Sequence, residues 1–354
     1  LLYGVATIFI TVLFFMIWRV NMKSAYEVEC RAKEGKHINT IKEDLEALVD
    51  KRLHWTLLTL PILGIVIFTI LPLVFMICMA FTSYSKVGDH LTIFHWVGLK
   101  NFSTVLGMGN SIGKTFWSVL GWTLIWAVLA TFLNYILGMI LAIVINRKTT
   151  RIKGFWRFCF MLSAAIPQFV SLLLMRTMLK DNGLVNNLLI QAGLISSPLP
   201  FLTNATWARA TVVIINLWVG IPFTMMQVTG ILQNIPGELY EAARVDGAGP
   251  VTIFFKITLP YMLFVTTPYL ITTFTGNINN FNVIYLLTAG APVPVGATAG
   301  KTDLLVTWLY KLTIDNQEYN IGAVIGILTF IVLSIVALVT YRNTKSYKDE
   351  EGFM

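Results

Sequence analysis

The chain has 354 residues, of which 56 % are hydrophobic and only 12 % charged, with a mean hydropathy of +0.72 and a net charge of +8. A soluble protein of this length carries about twice that share of charge, which excludes a soluble globular enzyme and points to a polytopic helical membrane protein. Cys30, Cys78 and Cys159 are scattered, two of them in apolar runs, so they form neither a disulfide framework nor a metal set and read as small apolar fillers.

A membrane-crossing helix needs roughly 20 apolar residues. Seven runs approach or meet that length, near 1–18, 56–81, 119–145, 156–179, 207–230, 261–287 and 322–341. The chain begins at Leu1 inside the first run, so a native segment with a further helix is expected upstream. The run has no basic leader and no small-residue cleavage site, and reads as a clipped span rather than a signal peptide. In the charged segment 19–54, Ile38, Ile41, Leu45, Leu48 and Val49 recur at helical spacing. They predict an amphipathic helix that packs against the bundle, with a regulatory contact as the other reading. Residues 1–55 thus form an N-terminal region, and 56–118 a span followed by a short loop, 82–118. Residues 119–341 are the core, with a polar hairpin at 231–260, and 342–354 are a polar tail. The loops 181–206 and 288–321 are rich in Gly, Pro and Asn, as turn-forming lips require.

Basic residues set the orientation, because Lys and Arg accumulate on the cytoplasmic side. The loops 19–54, 146–157, 231–260 and 342–354 hold eighteen of them, against eight in 82–118, 176–209 and 288–321. The first set is therefore expected inside, together with the C-terminus. The positive net charge marks topology, not a nucleic-acid surface.

The hairpin 231–260 carries Glu241-Ala242-Ala243-Arg244-Val245-Asp246-Gly247, followed by Ile257-Thr258-Leu259-Pro260. Pro236 fits the first turn of a short helix. Glu241 and Arg244 are i, i+3 neighbours able to pair. Ala242 and Ala243 favour helix and admit a close partner. Gly247 is suited to end the helix in a left-handed conformation, and Pro260 to set the start of the next span. The bland reading is an ordinary helical hairpin loop.

The spacing E-A-A-x3-G-x9-I-x-L-P is matched at every defining position. It resembles the cytoplasmic EAA loop of ABC importer permeases, in which a short helix docks on an ATPase subunit. The run from Tyr240 to Pro260, with Thr302-Asp303-Leu304-Leu305-Val306, resembles the carbohydrate-uptake branch of type I ABC importers. The resemblance covers roughly 56–341 and is nearest to the larger permease subunit of maltose/maltodextrin-type importers. The enterobacterial form carries a large extracytoplasmic domain where this chain has only 82–118, which is similar to Gram-positive relatives.

The run 261–287 lacks Lys, Arg, Asp and Glu, yet holds Thr272, Thr273, Thr275, Asn277, Asn279, Asn280 and Asn282. Thr273, Asn277 and Asn280 share one helical face at i, i+4 and i+7. Hydroxyls and amides without an ionic partner suit a neutral polyol. Hydrogen bonding between helices explains the same residues equally well. The resemblance implies sugar contact: two Asn of the family match Asn277 and Asn280, and a Ser matches Thr273. A Gly-x-Pro-Tyr run matches Gly220-Ile221-Pro222-Phe223, with Gly220 and Phe223 the implied contacts. Gly276 replaces a contacting Phe and Ala164 a contacting Tyr, which implies a wider pocket or a different sugar.

Several other patterns fail. Gly109-Asn-Ser-Ile-Gly113-Lys114-Thr115 lacks the leading glycine of a phosphate-binding loop, since Met108 stands there. Asn204-Ala-Thr206 matches a glycosylation acceptor, a short and frequent pattern. His37, His54, His90 and His95 form no metal pair, and no span holds a catalytic set or a carboxylate for ion coupling.

The resemblance thus implies an all-α transmembrane bundle of the type I importer permease fold, with about seven spans, in a bacterial cytoplasmic membrane. It implies transport of an oligosaccharide, maltodextrins first and galacto-oligosaccharides next. The implied partners are a second homologous permease, two ATPase subunits and an extracellular solute-binding protein. ATP and Mg would sit on the ATPases, with no cofactor on this chain. Glu241, Ala242, Ala243, Asp246, Gly247, Leu259 and Pro260 would couple ATPase closure to the bundle. An ATP-independent secondary sugar transporter or channel is the alternative.

Overall fold

The computed structural model describes residues 2–87, 90–91, 94–147 and 149–342. The polar tail expected at 342–354 therefore lies outside the described residues except for Arg342. The chain divides into two compact units, Leu1–Tyr84 with Leu91–Leu99, and Ser85–His90 with Lys100–Met354.

In the first unit, α1 (Leu2–Lys33) continues well past the expected end of its apolar run. Helix α2 (Ile41–Val49) follows, then α3 (Leu53–Ala80), which contacts α1 near its own C-terminal end. The amphipathic helix expected within 19–54 is α2, and Thr56 of α3 donates from Oγ1 to its Leu48 carbonyl at 2.8 Å. None of its residues is buried, and Ile41 and Val49 are 83 % and 70 % exposed. A capping box between Thr40 and Glu43 closes its N-terminus.

The second unit contains α4 (Lys100–Leu106), α5 (Ser111–Asn146), α6 (Lys153–Ala165), α7 (Gln168–Met178) and α8 (Leu184–Gln191). Then come α9 (Ala205–Gln233) and α10 (Gly237–Val245). A helical turn, Pro250–Ile253, and a π turn, Phe254–Thr258, lead into α11 (Leu259–Ile278). The unit closes with α12 (Phe281–Thr288), α13 (Leu305–Tyr310) and α14 (Tyr319–Arg342). Two short strands, Lys86–Val87 and His90–Leu91, interrupt the otherwise helical chain.

Among the described residues, six helical stretches are long and apolar enough to cross a membrane, and α6 with α7 supplies a seventh as a bent pair. The span expected at 156–179 is thus broken, with an 83° bend. The cause is local: a residue before proline avoids the helical region, and Ile166 ahead of Pro167 is extended at ψ 132°. The run 261–287 is also interrupted, because Asn280 begins α12 rather than continuing α11. Two of the long spans, α5 and α9, start at side-chain caps. Asn110 Oδ1 accepts from Gly113 N–H at 2.7 Å, and Asn204 Oδ1 from Thr206 N–H at 2.9 Å.

Helix α9 packs along the second half of α5, residues 129–146. A Cβ on Gly138 would stand 2.6 Å from Thr224 Cβ, and one on Gly220 would stand 2.6 Å from Asn134 Oδ1. Small residues let helix backbones approach, and in a bilayer such packing, rather than dehydration, holds helices together. Two buried apolar clusters flank this crossing. Trp122, Trp126, Ala130, Leu172, Val212, Ile215, Val283 and Ile284 belong to the first. Tyr135, Met139, Ala142, Met225, Val228 and Met262 belong to the second. Along α5 and α9, the stretches between the clusters are 131–134, which includes Asn134, and 216–224, which includes Asn216 and Thr224. Polar side chains there sit near mid-span, with greasy packing above and below.

Candidate functional site

A cavity of about 400 Å³ opens between these clusters. Asn134 of α5 and Asn216, Gly220, Phe223 and Thr224 of α9 form one side. The bend between α6 and α7 contributes Ser163 to Gln168 and Ser171, and α11 contributes Tyr269, Thr273 and Asn277. No lining residue is ionisable as an acid or a base apart from the Tyr269 phenol. The proline bend is what leaves this space, since a straight helix through 156–179 would carry its side chains across it.

Asn277 is tied into the fold. Its Nδ2 donates to Thr131 Oγ1 at 3.0 Å, and its backbone carbonyl accepts from Trp126 Nε1 at 3.1 Å. Its Oδ1 accepts from Asn280 Nδ2 at 3.4 Å. Asn280 Oδ1 in turn accepts from Val283 N–H at 3.2 Å and caps α12. Bonding between helices therefore uses much of the Asn277 amide. Other groups remain open. Asn134 Oδ1, Ser171 Oγ and Asn216 Nδ2 are buried without a protein partner, and all three belong to cavity-lining residues. A buried polar atom left unpaired costs about 1–3 kcal/mol, and more is at stake in a bilayer. One acceptor, one hydroxyl and one amide donor converging on an uncharged cavity match the hydroxyls of a neutral polyol.

The structure brings Ala164, Gly220, Phe223, Thr273 and Asn277 to this one lining. Gly276 and Asn280 are not part of it: Gly276 faces open space, and Asn280 reaches the site only through Asn277. The shared face expected for Thr273, Asn277 and Asn280 fails because α11 ends at Ile278. Sequence reasoning missed Asn134, Ser171 and Asn216. A lone Asn within an apolar run was the available signal, since intramembrane polar groups face a bundle interior or a cavity.

The hairpin forms a second candidate site. Helix α10 begins after Pro236, one residue later than expected, and Gly247 ends it at φ +77°. Gly247 N–H donates to Arg244 carbonyl at 3.0 Å and Ala248 N–H to Ala243 carbonyl at 2.9 Å, the paired bonds of a Schellman motif. Glu241, Ala242 and Asp246 are exposed, whereas Ala243 and Leu259 are partly buried. Glu241 and Arg244 form no ion pair; both are solvated, where such pairs gain little. Tyr240 fastens the helix: its hydroxyl lies 3.2 Å from Thr258 Oγ1, and its ring packs on the second apolar cluster. Val245, Val251 and Phe255 are left as exposed apolar groups beside it.

These features agree with known proteins. A family described as binding-protein-dependent transport system inner membrane component matches residues 134–345. The galactooligosaccharides transport system permease protein GanP of Bacillus subtilis (strain 168) is 35 % identical, over 98 % of this chain and 83 % of GanP. The maltodextrin transport system permease protein MdxF of the same organism is 33 % identical, over 99 % of this chain and 82 % of MdxF. The maltose/maltodextrin permease MalF of Salmonella typhimurium is 36 % identical, over 70 % of this chain and 49 % of MalF. Among solved structures, a bacterial ABC transporter involved in alginate import shares the fold, with a TM-score of 0.67 at 24 % identity over 85 % of this chain and 99 % of that one. An ATP-independent transporter or channel is not favoured by these relationships. The chain belongs to the binding-protein-dependent transport system inner membrane components and is a permease subunit of the ABC-importer kind.

Proposed function

We propose that this permease carries a neutral oligosaccharide across the membrane through the cavity between α5, α9 and α11. The observation that carries the reading is the set of unpaired polar atoms on Asn134, Ser171 and Asn216 in a cavity without charge. Thr273 and Asn277 add hydroxyl and amide groups, and the exposed Phe223 ring offers an apolar face to a sugar. Gly220 admits Asn134 to the site, Ala164 leaves room, and Asn280 holds Asn277 in place. The names of the relatives, galactooligosaccharides for GanP and maltodextrin for MdxF, support an oligosaccharide and divide over which one.

Transport of this kind needs a second permease subunit, two ATPase subunits holding ATP and Mg, and an extracellular solute-binding protein. The C-terminus and α10 lie in the cytoplasm in this reading, as the distribution of basic residues requires. Helix α10 receives the ATPase through Glu241, Ala242, Ala243, Asp246 and Gly247, with Leu259 and Pro260 passing the motion into α11. Work is transferred only if the ATPases prefer one state of the bundle over the other.

Proteoliposome uptake of a panel of labelled oligosaccharides tests the reading. Asn134→Leu together with Asn216→Leu replaces polar groups by apolar ones of similar size. Uptake should fall roughly tenfold or more, since each lost hydrogen bond is worth about 0.5–1.5 kcal/mol. Unaltered uptake kinetics in that double variant would reassign the cavity to packing.

A further inference from the structure

A second cavity, of about 260 Å³, lies at the opposite end of the second unit from α10. It is lined by the first turns of α5 and α9 and by the loop ahead of α13. The central cavity and this one share no lining residue. Its chemistry is also different. Lys114, Arg209 and Lys301 all line it. None of the three forms an ion pair among the described residues. The one carboxylate nearby is already occupied: Asp303 accepts from Lys311 Nζ at 2.6 Å, from Gly300 N–H at 2.7 Å and from the Thr307 hydroxyl at 2.9 Å.

The Arg209 guanidinium is held in place. It stacks over the Trp122 ring at 4.5 Å, and its Nε donates to the Lys301 carbonyl at 2.9 Å. Trp122 is itself fixed, since its Nε1 donates to the Thr302 carbonyl at 3.2 Å. These contacts leave the two terminal nitrogens of Arg209 as an oriented fork beside two lysines. A planar guanidinium fork matches a carboxylate by geometry as well as by charge.

We propose that this pocket is a socket for a carboxylate side chain on the docking face of the solute-binding protein. The inference rests on the importer reading, which requires such a protein on this side of the membrane. Three observations favour a docking partner over the transported solute. The volume lies below the roughly 300–1,000 Å³ usual for small-molecule sites. The pocket is built from the outer ends of the helices and their loop. An anion passing inward would find no counter-charge in the central cavity, whose lining holds no basic residue. An anion taken here therefore stays here, as a side chain of a docked protein does.

The test measures binding of the transporter's own purified solute-binding protein to the complete complex in neutral-lipid nanodiscs, by interferometry across salt concentrations. Arg209→Gln should weaken docking roughly tenfold and flatten its salt dependence. Lys301→Gln and Lys114→Gln, both at exposed side chains, should each weaken it less. They serve as variants whose folding is not at stake. Arg209→Glu should be rescued by an acid-to-arginine change at one position on the binding protein. Docking that stays unchanged in all three neutral variants overturns the socket. So does a defect that appears only with anionic lipid, or one confined to uptake of acidic sugars with docking intact. Wild-type uptake of neutral sugar tests the functional reading separately, so the two failures are distinguishable.

Discussion

Two nine-residue helices, α2 and α10, lie in segments rich in basic residues or flanked by them, and they are held by different means. Helix α2 closes its N-terminus with its own capping box, and Thr56 of α3 donates from Oγ1 to the Leu48 carbonyl at 2.8 Å. Thr40 Oγ1 accepts from Glu43 N–H at 3.4 Å, and Thr40 N–H donates to the Glu43 carboxylate at 2.7 Å, while its apolar side chains stay uncovered. Helix α10 has no side-chain cap at its N-terminus. Its order comes from the left-handed Gly247 and from Tyr240, which reaches Thr258 and the core. Helix α10 packs its own Tyr240 on the second apolar cluster, whereas α2 keeps its apolar side chains uncovered and meets α3 through a backbone carbonyl. In the importer reading proposed above, force enters through α10.

The largest expected effect is at Gly247. Proline there can neither adopt φ +77° nor donate to the Arg244 carbonyl. A misplaced proline costs about 3 kcal/mol, so uptake and sugar-stimulated ATP hydrolysis should both fall roughly a hundredfold while the complex still inserts. Unaltered ATPase stimulation in Gly247→Pro would remove α10 from the coupling path. Gly220→Val comes next and acts where α5 and α9 cross beside the cavity. The added carbons meet Asn134, and over-packing of this kind costs about 1–3 kcal/mol. Uptake should drop, with ATPase assembly retained in pull-down. Tyr240→Phe is smaller still. Losing one hydroxyl contact is worth about 0.5–1.5 kcal/mol, a twofold to tenfold loss of coupling efficiency read as sugar carried per ATP hydrolysed. If that ratio does not change, the fastening lies in the ring packing, and Tyr240→Ala should expose it.

The same comparison shows what was legible beforehand. Helix α10 could be read from residues 241–260 because its requirements are local: helix-forming alanines, a glycine free to take positive φ, and a proline at the next span. The cavity depends on residues distant in the chain. Thr273 and Asn277 were visible as polar groups in an apolar run, and Gly220 and Phe223 through a family pattern. Nothing local showed that α11 stops at Ile278, which takes Asn280 off the shared face, or that the bend at Pro167 opens the space. Asn134 and Asn216 gain their meaning only when α5 and α9 cross at Gly138 and Gly220. Ser171 gains its meaning only once the bend turns α7 toward them.

The smallest expected effect sharpens the other half of the comparison. Glu43 is held below its ordinary carboxylate range, chiefly by the Thr40 N–H and then by hydrogen bonding to His37. A carboxylate with a depressed folded-state value stabilises the fold above its unfolded value, and that contribution disappears as pH falls through the folded one. Amide exchange over residues 41–49 in the intact protein should therefore be slow near neutral pH and relatively less protected under acid, after correction for intrinsic rates. Thr40→Ala should remove about 1 kcal/mol of helix stability at neutral pH by deleting the hydroxyl arm of the box, and should leave most of the acid response, which rests on the retained Thr40 N–H. Sugar uptake should not change in this variant, since the deleted hydroxyl bonds within α2 and leaves the Thr56–Leu48 contact with α3 in place. A loss of uptake matching the loss of protection would show that α2 is mechanically coupled, and the contrast with α10 would fail.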